Sequence, residues 1–264
     1  MAFATVAANP SSIGSRLEDS LMNRWTPALM GRPDRPIDRC PIGRASRDRT
    51  LTRCLACAPQ GYTADSVPTM RSMTPPEARI PPLRPDQWDE RLTRLLSLSP
   101  GGTDEPMGIF TTLAHQPELF RRWLGFGGAL LAGDLPGRLR ELVILRTAYR
   151  FDGRYEWAHH IELGRDQGIT PEETAALGGD LAAVAWPPLE RAALSAVDET
   201  ADAGAVSDAT WAILAQHFES ADLVELLMLI AHYLMLSTVL RSLRVPLEPL
   251  AEELADGVPG GPPA

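Results

Sequence analysis

Apolar positions recur with a helical period along most of the chain after residue 85. Each periodic stretch is bounded by proline, glycine or a capping residue, as isolated helices usually are. The predicted helices cover residues 86–96, 117–131, 135–150, 156–167, 187–201, 207–218 and 223–243. No segment alternates between apolar and polar residues with a period of two next to turn dipeptides. The pattern therefore predicts an all-α fold.

A further helix start lies near residue 170. Gly168 stands where a helix commonly ends, because glycine adopts the left-handed conformation without strain. Thr170, Pro171 and Glu173 then follow as N-cap, first helical residue and third helical residue. This order predicts a capping box in which threonine and glutamate satisfy free backbone N–H groups at the helix start.

The ends of the chain differ from this helical part. Residues 1–75 show no period and are rich in Pro, Gly, Ser and Arg, so we expect a disordered leader. Because patterning begins just after Met70 and Met73, translation could start at one of these residues. Residues 76–252 are then the helical domain, and residues 253–264 a flexible tail.

Charge and cysteine usage narrow the classes of partner and compartment. The leader to residue 72 carries 10 Arg against 6 acids, whereas the remainder carries 15 Arg against 28 acids. An acidic domain does not favour nucleic acid or anionic membranes, which attract basic surfaces. Three cysteines give no disulfide framework, so we expect a cytoplasmic protein. The apolar stretch 223–240 contains Glu225 and His232, which favours a buried core helix over a membrane span.

Glu141 is the first candidate for chemistry. Its neighbours on the same helical face are Ile144, Leu145 and Ala148, so its carboxylate lies on an apolar face. Two interpretations stay open. The carboxylate could pair with Arg138 or Arg146, or it could face a pocket with a raised pKa suited to acid–base work.

The next helix carries a second group of candidates. Glu156 and His160 are four residues apart and share a face, with His159 beside them. A carboxylate near a histidine can orient the imidazole as a proton carrier. Tyr155 and Trp157 flank the pair and could wall a pocket, although a solvated helix with an incidental histidine pair fits the same pattern.

These residues resemble a known signature. Glu141, the run Tyr155-Glu156-Trp157-Ala158-His159-His160 and the run from Gly168 to Glu173 are similar to the carboxymuconolactone decarboxylase and alkyl hydroperoxidase D superfamily. The similarity extends from about residue 81 to 248. It implies a compact helical bundle that assembles into homotrimers or homohexamers.

One departure from the superfamily pattern bears on function. In the peroxidase branch the glutamate is followed by Cys-x-x-Cys and a histidine, but here Gly153 and Glu156 occupy the cysteine positions. Without a thiolate there, disulfide exchange is not expected. The pair Cys54 and Cys57 also reads Cys-x-x-Cys, but it lies in the leader far from His160 in sequence.

The resemblance implies an enzyme that needs no cofactor. It implies decarboxylation, or related proton transfer, on a small carboxylated lactone or aromatic-derived molecule. We expect His160 to shuttle the proton, Glu156 to orient it and Glu141 to act as a second acid–base group. The expected substrate-binding residues are Tyr155, Arg146, Trp157, His159 and His232.

Three alternatives remain at this stage. A di-iron site would need a second Glu-x-x-His, which the other histidines do not supply. We therefore expect no metal, although Glu141, Glu156 and His160 could hold a single ion. The chain could instead be a peroxidase relative that has lost its redox cysteines, or an oligomeric binding protein without catalysis.

Overall fold

The computed structural model describes residues 77–258 and 260–262, and the predicted leader lies outside them. The described residues form ten α-helices and no strand, which confirms the all-α prediction. In chain order the helices α1 to α10 are Glu90–Leu96, Gly108–Leu113, Pro117–Leu131, Gly137–Arg150, Arg154–Asp166, Pro171–Leu177, Pro188–Ala203, Asp208–Leu214, Ser220–Leu243 and Pro249–Gly257. Short 3₁₀ turns lie at Pro85–Gln87 and Leu181–Ala183.

Helix α4 is the centre of the molecule. It packs against α5, α7 and α9, and every residue from 141 to 148 is buried. One side, with Val143 and Ile144, joins a large core cluster with α3 and α9. The other side, with Leu142 and Leu145, joins a second cluster with α5 and α6. A helix covered on both sides buries whatever polar groups it carries, and these need internal partners.

Local signals set the helix boundaries near the centre. Thr170 Oγ1 accepts from the Glu173 N–H while the Glu173 carboxylate accepts from the Thr170 N–H, so the predicted capping box is present. Gly168 is left-handed, with φ of 80°. Between α4 and α5 the turn is tight, and Asp152 takes a left-handed conformation with φ of 52°. This turn brings α5 back against α4.

Two helices were not predicted from the pattern. Helix α2 is only six residues long, and α10 runs through the predicted domain boundary at residue 252. Ala251 and Ala255 are buried in the second core cluster, so packing extends beyond that boundary. Farther on, a side chain at Gly261 would lie 2.8 Å from the Trp157 indole nitrogen.

Helix α9 is the apolar stretch for which the sequence left a membrane span as the alternative. It is long and apolar enough to cross a membrane, but half of its most apolar stretch is buried inside the domain. Its buried side belongs to the large core cluster through Leu226, Leu229 and Ile230. Core helices of soluble proteins have the same composition, so this feature gives little support for a membrane role.

Candidate active site

A chain of hydrogen bonds joins three helices in the buried centre. The Glu141 carboxylate on α4 lies 2.7 Å from His160 Nδ1 on α5. On the other side of the ring, His160 Nε2 lies 3.2 Å from the Tyr233 hydroxyl on α9. Glu141, His160 and Tyr233 are 4%, 9% and 5% exposed. We call this arrangement the relay, since each group can pass a proton to the next.

The relay fixes the orientation of its imidazole. Both ring nitrogens of His160 already face protein groups, so the ring cannot rotate without losing a hydrogen bond. Burial, with added repulsion from Glu141 and Glu156, raises the pKa of Tyr233 well above 10, so its phenol is neutral. A neutral phenol can donate its proton and accept another.

Glu156 lies beside the relay but outside it. Its side chain is 3% exposed, and neither carboxylate oxygen has a hydrogen-bond partner of good geometry among the described residues. Burial raises its pKa from 4.5 to about 7, although the nearby His160 and Ser237 act to lower it. The expectation that Glu156 orients the imidazole is not met, because Glu141 makes that contact. Glu156 is instead a buried acid that is half protonated near neutral pH.

The turn before α5 leaves room for this carboxyl group. A Cβ built on Gly153 would lie 2.2 Å from the Ser237 hydroxyl and 2.8 Å from Glu156 Oε2. Distances this short are not found in real proteins, so the position accepts only glycine unless α9 shifts. Ser237 is fully buried, and its hydroxyl also lacks a partner within the described part of the chain.

Arg140 adds a positive charge at the edge of the relay. Its Nε lies 3.9 Å from Glu141 Oε1, and its charge acts to lower the pKa of Tyr233. The same nitrogen is buried and has no hydrogen-bond partner among the described residues. Arg140 was not predicted as a site residue, since only Arg138 and Arg146 were considered as partners of Glu141.

Those two arginines are held elsewhere. Arg146 makes a bidentate pair with Asp198 at 2.8 and 2.9 Å and donates to the carbonyls of Leu177 and Gly179. It ties α4 to α7 and to the end of α6, and four of its five N–H groups donate within the protein, so its guanidinium is held away from the relay. Arg138 similarly bridges Glu173 and Glu190, which raise its pKa.

Tyr155 and His159 belong to a different cluster, centred on Glu248. The Glu248 carboxylate accepts from the Tyr155 hydroxyl at 2.8 Å, lies 2.7 Å from His159 Nε2 and accepts from the Gly108 N–H. Burial alone would raise its pKa, but these hydrogen bonds lower it to about 2. The cluster fixes the start of α2 against α5. Both residues therefore have structural partners rather than a free face toward the relay.

Trp157 and His232, also expected to bind substrate, are both buried. Trp157 is fully buried in the second core cluster and does not wall a pocket. His232 stacks on Trp123 and meets Phe126 and Tyr233 edge-on. Burial lowers its pKa to about 4, so its ring is neutral. Of the two, His232 is the one that touches the relay, through Tyr233.

No set of three His, Cys, Asp or Glu side chains converges as a metal site within residues 77–258 and 260–262. Glu141 and Glu156 approach His160 from different directions, and Glu141 occupies one ring nitrogen. The single-ion alternative that the sequence left open has no such cluster to support it.

Comparison with known proteins shows what the chain is similar to. The model of the carboxymuconolactone decarboxylase family matches residues 117–199, which include Glu141, Glu156 and His160. The fold is similar to the alkylhydroperoxidase AhpD core of an uncharacterized peroxidase-related protein from Ralstonia eutropha JMP134. That match has 19% identity, a TM-score of 0.59 and covers 67% of this chain and 95% of the other. The described residues thus have an AhpD-like fold, and the segment 117–199 is similar to the carboxymuconolactone decarboxylase family.

Two other solved structures share this fold. A peroxidase-related protein from Silicibacter sp. TM1040 has 12% identity and a TM-score of 0.55, covering 72% of this chain and 96% of its own. The debrominase Bmp8, with 2,3,4-tribromopyrrole bound, has 16% identity and a TM-score of 0.53, covering 74% and 100%. At these identities the likeness concerns the fold alone. No curated protein matches the chain.

Two residues of the site, Tyr233 and Ser237, lie outside the segment that the family model matches. The relay ends at Tyr233 and Glu156 lies by Ser237, both on α9, which follows the family match. From the sequence, Tyr233 is only a secondary candidate beside His232 in the apolar C-terminal helix, and Ser237 is not a candidate. The contact that joins α9 to His160 spans 73 residues, and no local pattern encodes it.

Proposed function

We propose that this protein is an enzyme that catalyses proton transfer to carbon, in a decarboxylation or a closely related reaction. The relay is the observation that supports it. Three proton-carrying groups in line, sheltered from water and including a fixed imidazole, are the usual means of general acid–base catalysis. A binding protein does not need such a buried chain.

The relay supplies the proton that decarboxylation consumes. When a carboxylate leaves as CO₂, its bonding electron pair stays on the adjacent carbon and spreads into a conjugated carbonyl. The Tyr233 hydroxyl then gives its proton to that carbon, and His160 returns one to the phenolate oxygen. Glu141, hydrogen-bonded at Nδ1, holds the ring in place for this transfer. Water restores the proton on His160, so the net reaction consumes one proton and releases CO₂.

Glu156 supplies a second acid. Because it is half protonated near neutral pH, it can donate to an enolate oxygen or hold a proton there while carbon is protonated. In this proposal Glu156 acts on oxygen and the relay acts on carbon. This division differs from the role expected from sequence, in which Glu156 served only to orient His160.

The substrate class follows from charge. Arg140 is the cation at the relay with an unused donor, so it is the group to hold a substrate carboxylate. A small carboxylated lactone or a product of aromatic breakdown has this carboxylate and the conjugated carbonyl. The proposed reaction uses only groups of the chain and no cofactor. We place the enzyme in the cytoplasm.

Two rival functions make different predictions. A peroxidase relative that has lost its redox cysteines, with a glycine and a buried carboxyl group at positions 153 and 156, would consume no peroxide and would release no CO₂ from a carboxylated lactone. A binding protein without catalysis would be stabilised by a ligand against thermal unfolding and would form no product. The described geometry favours neither over proton transfer.

The test is turnover of a panel of carboxylated unsaturated lactones in D₂O. CO₂ release and deuterium incorporation at the adjacent carbon are followed by NMR. We expect Tyr233→Phe and His160→Gln each to lower kcat by about 10²- to 10⁴-fold. His217→Gln, at an exposed histidine away from the relay, is the control and should keep full activity. Full turnover in both relay variants would refute the mechanism. Ligand stabilisation of the unaltered enzyme with no product would favour the binding protein.

A further inference from the structure

Helix α9 has an exposed apolar stripe opposite its buried side. The stripe repeats in steps of three and four residues, the spacing of a coiled-coil seam. Its members are Ala221, Val224, Met228, Ala231, Met235, Thr238 and Ser242, here called the α9 seam. Val224, Met228 and Met235 are 62%, 44% and 42% exposed.

The fold of one chain does not account for this seam. The core side of α9 is already supplied by its leucines, and the seam faces away from them. No residue from 226 to 240 carries a formal charge. A solvent-facing helix surface normally carries charged residues, and contiguous apolar patches mark interaction sites.

We propose that the α9 seam pairs with the same seam of a second copy, antiparallel, about a two-fold axis at Ala231. In this register Met228 meets Met235 of the other copy, and Val224 meets Thr238. The small Ala231 residues meet each other at the centre, where close approach of two helices needs small side chains. The register thus places the small Ala231 residues at the two-fold axis and the larger methionines on either side of it.

Charge at the ends of α9 selects the antiparallel arrangement. Glu219 and Asp222 lie at its start, and Arg241 and Arg244 at its end. An antiparallel copy brings acids near arginines at both ends, and the two helix dipoles also oppose each other favourably. A parallel copy would bring like charges together. Arg241 also pairs with Asp152 of its own chain, at an exposed position.

The pairing restricts the assembly. A two-fold contact gives an even number of chains. Of the trimer and hexamer that the resemblance implies, only the hexamer can contain it. The contact also covers Phe126, which is exposed and packs edge-on against His232 beside Tyr233. The two relays of a pair would then lie directly behind the shared seam.

Cysteine cross-linking tests the register. The full chain, with Cys40, Cys54 and Cys57 changed to Ser, receives Ala231→Cys, Val224→Cys or Thr238→Cys. Under mild oxidation Ala231→Cys should form a covalent dimer. Val224→Cys and Thr238→Cys should each stay uncross-linked alone and form a covalent heterodimer when mixed. Self cross-linking of Val224→Cys would indicate a parallel pair and overturn the proposal.

Mass in solution is the second measurement. Light scattering of the unaltered chain should give an even multiple of 28.7 kDa. The double variant Met228→Glu, Met235→Glu should halve the number of chains. Leu119→Glu, at an exposed apolar residue of α3, should leave it unchanged. Circular dichroism checks that each variant is folded. A trimer, an unchanged mass in the double variant, or a monomer that sediments with phosphatidylcholine vesicles would each overturn the proposal.

Discussion

The two buried glutamates of the site, Glu141 and Glu156, differ in their hydrogen-bond partners. Glu141 has a hydrogen bond to an imidazole, whereas both oxygens of Glu156 lack partners among the described residues. An unpartnered buried carboxylate is disfavoured, so Glu156 holds its proton to a higher pH. One residue type therefore supplies a hydrogen-bonded and an unpartnered buried carboxyl group within a single site.

The raised pKa of Glu156 predicts a pH-dependent stability. Because the folded pKa of about 7 lies above the ordinary 4.5, the folded state binds more protons between these values, and stability falls as pH rises through them. Relative to Glu156→Gln, the unaltered protein should lose about 3 kcal/mol of unfolding free energy from pH 4.5 to 7. Urea unfolding of both proteins across this range measures it. A difference that stays constant with pH would show that the carboxyl group is ionised throughout.

At the scale of elements, the α4–α5 turn and helix α9 fit together through a glycine. Adding a methyl group at Gly153 would force apart the turn and Ser237, since the Cβ would lie only 2.8 Å from the Ser237 Cβ. Neither atom belongs to a flexible side-chain end. The contact between the two elements is therefore close at the point where Glu156 and the relay meet.

We expect Gly153→Ala to lower the free energy of unfolding by about 1 to 3 kcal/mol, the usual range for overpacking a core. The control is Gly257→Ala, where a Cβ would meet open space. Thermal and urea unfolding compare the two variants. Equal stability of both would mean that α9 yields easily and that the contact is looser than described.

Glu248 gives a second prediction at this scale, because it joins α2, α5 and the start of α10. Its folded pKa of about 2 lies below 4.5, so the stability it adds is present above pH 4.5 and is lost as pH falls toward 2. With allowance for its partial exposure, Glu248→Gln should destabilise by about 1 to 2 kcal/mol at pH 7. Unfolding at pH 7 and pH 3 should show the difference shrinking, whereas Glu253→Gln, at an exposed position, should change little at either pH.

The sequence predicted most of the helices, but it did not predict which side chains contact each other between helices. The capping residues at Thr170 and Glu173 and the glycine at 168 have local meaning, so that helix start was predictable. Helix α2 has six residues and depends on Glu248 for its start, a contact across 140 residues. Arg146 and Trp157 were expected to bind substrate, but Arg146 pairs with Asp198 and Trp157 lies in the second core cluster, for a related reason. Helical spacing says which residues share a face but not which neighbouring helix covers that face.

At the scale of the whole molecule, the described residues have an AhpD-like fold, but positions 153 and 156 carry no cysteine. All three cysteines of the chain lie at residues 40, 54 and 57. A thiol peroxidase needs a reactive thiolate beside a proton donor. The buried centre holds Glu141, His160 and Tyr233, and a glycine and a carboxyl group stand where the thiols would be.

We therefore expect no thiol-dependent peroxidase activity. Peroxide consumption with dithiothreitol should equal that of dithiothreitol alone. The variant with Cys40, Cys54 and Cys57 changed to Ser serves as the matched control and should behave identically. Consumption that is faster than the reagent alone and disappears in the Ser variant would assign a redox role to these cysteines.

The close fit at Gly153 also limits how this chain could change over time. A step toward redox chemistry requires a cysteine at 153, but that side chain collides with Ser237 before any partner thiol at 156 is in place. Room at Ser237 would have to be made before such a side chain could fit, and position 156 would have to change as well. The packing between the α4–α5 turn and helix α9 therefore hinders any single substitution toward thiol chemistry.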